Sequence, residues 1–307
     1  MSSGAKQGLK ISPETVAGTT PTPYNRQDLR HTSCTIDGQI SGTESEEIRD
    51  ILMSSGEYKT SATYGGEIAG ELSYGTYDML LAGAFHNEWV ANKLTLGSLV
   101  KTFSVLREYK DSGGYHNFKG MEVTALTIEV PEEGMVKVTF TLQGRGRDPV
   151  TFTLPAGTVT PATVTDLFTN VGIGDITIDG QSMQGIACIT AVTLTMEFSA
   201  EAQKCLGKGL SVGKLITTGV AITGSATLAW GDEAASINEL KFTDSTIALV
   251  VPMSDSAGNQ YILKVPEATV KGELPSGSRT DLLQYQLEFT ARNISPTLER
   301  KAAPAGP

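Results

Sequence analysis

The sequence is poor in the groups that most site chemistry needs. Among 307 residues there are three cysteines and three histidines. Cys34, Cys188 and Cys205 are widely separated, with no CxxC or Cys/His metal spacing. They are expected to be reduced, small, buried side chains. His31, His86 and His116 stand in no recognisable catalytic motif. Basic residues are also scarce: 24 Lys and Arg against 34 Asp and Glu leave a net charge of −10. A protein that grips DNA phosphates without regard to sequence needs clustered cations, so that class is disfavoured. No apolar run is long enough to cross a bilayer as a helix, so membrane insertion by this chain is not expected. Met1 to Pro21 is polar and lacks a signal-peptide core, which points to synthesis in a cytoplasm.

What is present is alternation. Val136, Val138, Phe140 and Leu142 alternate with Lys137, Thr139 and Thr141. Val192, Leu194, Met196 and Phe198 alternate with Thr193, Thr195 and Glu197. Similar patterns run over 220–230 and 283–289. Period two over such lengths predicts half-buried antiparallel strands. Their polar faces are mostly Thr, Gln and Ser, which suits an assembly or a lumen. Helix signals are few. Tyr77, Leu80, Leu81 and Ala84 form an apolar stripe within Thr76–Phe85, and Asp232–Leu240 is a shorter candidate. Thr43–Glu46 resembles a capping box, yet Gly56 and the Gly65–Gly66 pair favour a loop there.

The order of elements repeats. A strand, a polar loop with a helical hint (Glu44–Ser54, Ala200–Lys208), a Gly-containing strand, a helix, a hairpin and a closing strand pair occur in 30–147 and again in 187–293. The fold class is therefore all-β with minor α, as two tandem antiparallel β-sandwich or barrel domains, each flanked by a short helix. Residues 1–29 read as an extended, unpacked arm, 148–186 as a structured acidic connector without Lys or Arg, and 294–307 as a tail.

Other chemistry has simpler explanations. Asp111, Asp255 and Asn259 sit in Asp/Gly loops that could hold calcium, but hairpin turns use the same residues. Glu132 and Glu133 are adjacent on a turn between Pro131 and Gly134, unlike a glycosidase pair. Gly144-Arg145-Gly146 lacks the context of a phosphate loop, and no G-x-S-x-G is present. Trp89 and Trp230 could stack sugars, though core or interface packing explains them more simply. No catalytic, cofactor-binding or metal residue is assigned, and no cofactor is expected.

Several segments resemble a known family. They are Glu14–Pro21, Ser45–Arg49, Gly66-Glu67-Ile68-Ala69-Gly70-Glu71-Leu72-Ser73-Tyr74-Gly75-Thr76-Tyr77-Asp78-Met79-Leu80-Leu81, Phe103–Val105 with Phe118–Met121, Val130-Pro131 and Ile176–Gly180. Together they resemble the major tail tube proteins of phages with long non-contractile tails. Residues 66–81 are the most specific part, and the likeness runs from about 14 to 200 in order. It implies a structural virion protein, not an enzyme, whose rings stack into a channel for genome delivery. The partners implied are further copies of the chain, a tape measure protein and transiting DNA in the lumen, and terminator and distal tail proteins at the ends. Tube rings in the family resemble six-membered rings of one-domain subunits, so a two-domain chain is expected to close a ring of three with pseudo-sixfold symmetry; a six-chain ring is the runner-up. A terminator or distal tail protein on the same fold is the alternative function, and a carbohydrate-binding β-protein a more distant one.

Overall fold

The computed structural model describes residues 3–50, 53 and 56–303. Near the start lie β1 (Gln7–Pro13) and β2 (Arg26–Asp28). The first block holds β3 (Ser33–Cys34), β4 (Asp37–Glu44), β5 (Glu57–Glu71), helix α1 (Asp78–Ala84), β6 (Lys93–Thr95), β7 (Phe103–Tyr109), β8 (Gly114–Val130) and β9 (Lys137–Gly144). Short pieces follow: β10 (Gly146–Arg147), β11 (Val159–Thr160), β12 (Thr177–Ile178) and β13 (Gln181–Ser182). The second block holds β14 (Ile189–Gln203), β15 (Lys214–Ala229), helix α2 (Asp232–Glu239), β16 (Thr246–Ser254), β17 (Gln260–Lys271) and β18 (Gln284–Ala291). The last strand is β19 (Thr297–Lys301). The fold is all-β with minor α, as the alternating segments predict.

Alternation decides which side of each strand is covered. Val138, Phe140 and Leu142 of β9 are buried, while Thr139 and Thr141 between them are half-buried on the other face. The same holds for Val192, Leu194 and Met196 of β14. Each large aliphatic side chain taken from water contributes about 1.5–3 kcal/mol, so a one-residue slip in register would be strongly penalised. Helix α1 presents Leu80, Leu81 and Ala84 to this core. Gly83 lets it approach closely, since a Cβ there would sit 2.8 Å from the Phe103 ring.

Antiparallel pairing runs β4–β5–β9–β8 in the first block and β14–β15–β18–β17 in the second. The neighbours β7 and β16 pair with β8 and β17 respectively. The two blocks share one wiring, with a helix after the second strand in each. They are joined edge to edge, because β14 pairs antiparallel with β8 from Val192↔Val130 to Glu197↔Ala125. The result is one continuous sheet, β4–β5–β9–β8–β14–β15–β18–β17.

Three expectations need correction. The arm is not unpacked: β1 pairs with β7 from Gln7↔Tyr109 to Pro13↔Phe103, and Leu9 and Ile11 are buried. Two apolar residues at period two are enough to fix a short strand on an open edge, and Lys10 on the other face is held by Glu108 and Asp28. The tail is not free either, since β19 pairs with β17 and β6 and buries Leu298; Pro304–Pro307 lie outside the described residues. The helical hint at Ala200–Lys208 fails because β14 continues to Gln203 and turns at the tip of its hairpin with β15. In the corresponding loop, residues 45–50 have no helix, while Ile51, Leu52, Ser54 and Ser55 lie outside the described residues. In the connector 148–186, β11 runs parallel to β2, and the β12–β13 hairpin, closed by the Asp179–Gly180 turn, adds to β16 through β12.

Candidate assembly interface

The continuous sheet has one apolar side, closed by α1 and the remaining strands, and one polar side. Register aligns the polar side into rows. One row runs Ala69, Thr139, Thr127, Thr195, Thr223, Thr290 and Thr269, crossing both blocks. At the seam Thr127 and Thr195 hydroxyls are 3.3 Å apart. The row on one side is Glu67, Thr141, Ala125, Glu197 and Ala221, and on the other Glu71, Lys137, Glu129, Thr193, Ser225, Glu288 and Lys271. Carboxylates therefore outnumber the ammonium groups of Lys137 and Lys271 on this face. Lys137 and Glu129 lie 3.7 Å apart, both exposed, a contact of small energetic weight.

The seam between blocks is fixed on the apolar side as well. Asp78, the first residue of α1, accepts from the Tyr261 hydroxyl of β17 at 2.6 Å and pairs with Arg300 of β19. The Arg300 guanidinium lies over the Trp89 ring at 4.5 Å, and the Trp89 indole donates to the Asp78 carbonyl at 3.0 Å. Tyr74 and Phe168 pack on Tyr261. Burial, with Asp78 beside it, pushes the Tyr261 hydroxyl well above its ordinary pKa and keeps it a donor. His86 follows α1 with φ 47° and stacks on Phe198 of β14, ring centroids 4.2 Å apart. Its pKa is lowered by burial.

Sequence candidates fall at separate places. Asp255 closes a turn by accepting from the Asn259 backbone and side-chain amides at 2.8 and 2.7 Å. Asp111 accepts from the Ser3 backbone and pairs with Lys6. Glu132 and Glu133 sit on the β8–β9 turn, where the Glu132 carbonyl accepts from Asn170. Arg145 pairs with buried Glu122 at 2.7 Å. Trp230 packs edge-on against Tyr285. Cys34 is half-buried, but Cys188 and Cys205 are exposed, against the expectation of burial; both sit where the chain leaves or turns at the ends of β14. Asp78, Tyr261 and Arg300 were not among the sequence candidates. They are remote in the chain, and no spacing rule links them.

Edges remain open at both ends of the sheet. Among the described residues β3 and β4 pair only with β5, and β17 beyond Thr269 has β18 on one side alone. The described residues thus present a broad polar face, an internally repeated sheet and strand edges without a ladder partner. A family model for phage tail tube proteins matches residues 4–291, and the chain belongs to that family. It is a tail tube component of a phage virion. No curated protein matches the chain. No helix among the described residues is long and apolar enough to cross a membrane.

Proposed function

We propose that this chain is the major tube subunit of a long non-contractile tail, made in the bacterial cytoplasm and assembled into rings that stack into the genome channel. The observation that carries this reading is the continuous sheet, two identically wired groups of four strands with one polar face. Closing a circle removes open edges, and a head-to-tail contact yields a ring when its rotation closes. The two tandem domains, 30–147 and 187–293, act as two of six equivalent positions, so three chains close the ring. The Thr-rich, net acidic face lines the lumen. Acidic charge there repels DNA phosphates, and hydroxyls bind them weakly, so DNA and a tape measure protein pass without specific attachment. Terminator and distal tail proteins meet the ends of the stack.

Electron microscopy of the purified protein, followed by reconstruction, tests this. Tubes with three chains per ring and the Thr139–Thr195 face inward are expected. Six chains per ring would replace the trimer with the hexamer. A single closed ring that never stacks would favour a terminator or distal tail role.

A further inference from the structure

The seam inside the chain can be compared, residue by residue, with the two open edges. The paired registers fix which residues correspond. Ser33 pairs with Ala69 as Thr195 pairs with Thr223. Thr127 pairs with Thr139, itself opposite Ala69, as Thr269 pairs with Thr290, itself opposite Thr223. Ser33 thus occupies the position of Thr195, and Thr269 that of Thr127. Within the chain Thr195 lies opposite Thr127. Counting along the strands, His31 takes the place of Thr193, which faces Glu129, and Lys271 takes the place of Glu129.

We propose that the edge Arg30–Cys34 of one chain adds antiparallel to the end of β17 in a second copy, with Thr32 opposite Val270, His31 opposite Lys271 and Arg30 opposite Gly272. This rests on the ring reading above and specifies its interface. The second copy is the occupant because the chain's own second block already sits on the equivalent edge of its first. One difference limits the contact: β16 covers Ala268 and Thr269 on that side of β17, whereas β7 stops at Met121 of β8. The added ladder therefore begins at Val270. Each of the two edges has exposed apolar groups close to it in the chain or in space. The loop after β17 carries Leu274 and Leu282, 63% and 80% exposed, and Val164 is 96% exposed beside Arg30 in a groove of about 1030 Å³. Within the chain, Pro131 and Glu132 after β8 line one groove with Cys188 and Ile189 at the start of the second block.

The test is disulfide trapping in assembled tubes. Cys34, Cys188 and Cys205 are changed to Ser, and His31→Cys is combined with Lys271→Cys. On oxidation, a non-reducing gel should show a ladder ending at three chains, while Gln39→Cys with Lys271→Cys should remain a single chain. A ladder ending at six would keep the edge contact and overturn the three-chain ring. Tubes visible by microscopy with no ladder would overturn the contact and leave the tube reading standing. Failure of the unmodified protein to form tubes would overturn both. Should the variant not fold, hydrogen exchange on the unmodified protein decides: amides of 30–34 and 270–273 should become protected on assembly, and equal exchange in free chain and tube would overturn the contact.

Discussion

Asp78 carries a contact between the two blocks on the apolar side of the sheet. It neutralises Arg300 and accepts from Tyr261, so one carboxylate ties α1 of the first block to β17 and β19 of the second. Asp78→Ala leaves a partly buried guanidinium unpaired, at a cost of about 2–3 kcal/mol, and Asp78→Asn should cost less because it keeps an acceptor. Chemical denaturation of the three proteins checks this order. His86 adds a pH dependence. Burial lowers its pKa from the ordinary 6.5, so the unfolded chain takes up the proton first. Its contribution to stability is therefore full above that value and declines as the solution is acidified below it. His86→Phe keeps a ring against Phe198 and should flatten the slope of melting temperature below about pH 6.5. Tyr77 shows the opposite case: burial pushes its hydroxyl up to about 12, and it donates to the Arg30 carbonyl at 2.6 Å.

Among the elements, β1 carries the clearest consequence. It covers the edge of β7 and buries Leu9 and Ile11. Removing residues 1–13 uncovers that edge and forfeits about 2 kcal/mol for each of the two side chains. The truncated chain should melt well below the full one; an unchanged melting temperature would show that β1 is not part of the fold's stability. The β5 strand has its own constraint at Gly70, where a Cβ would collide with the Tyr77 hydroxyl. Gly70→Ala must move Tyr77 off the Arg30 carbonyl and should destabilise by about 1–3 kcal/mol. That displacement would also disturb Arg30, next to the open edge of β3.

At the scale of the whole molecule, the proposal that the polar face lines the channel has a test of its own. Glu67 and Glu197 stand in the same row, one from each block. Changing both to Lys puts new cations on the face without altering the apolar side. Tubes of this variant should retain linear DNA at low salt and release it as salt rises, each new phosphate contact steepening the salt dependence by about one unit of log–log slope. Co-sedimentation of DNA with tubes across a salt series measures it, and equal retention by both proteins would place this face away from the channel.

Period-two alternation in 136–142 and 192–198 determined the strands and their buried faces, because burial of one side is a local property of the chain. The apolar stripe of Tyr77, Leu80, Leu81 and Ala84 determined α1 in the same way, and the repeated order of elements determined the shared wiring. The strand at Leu9–Ile11 and the one at Leu298 were missed, since short edge strands hold only through the neighbours they pair with, and those neighbours are distant in sequence. Asp78, Tyr261 and Arg300 were illegible for the same reason: nothing in their spacing says that α1 lies against β17 and β19. The Thr row was legible only as separate polar faces. Its alignment across seven strands depends on the register of β8 against β14, which long-range pairing decides and local composition does not.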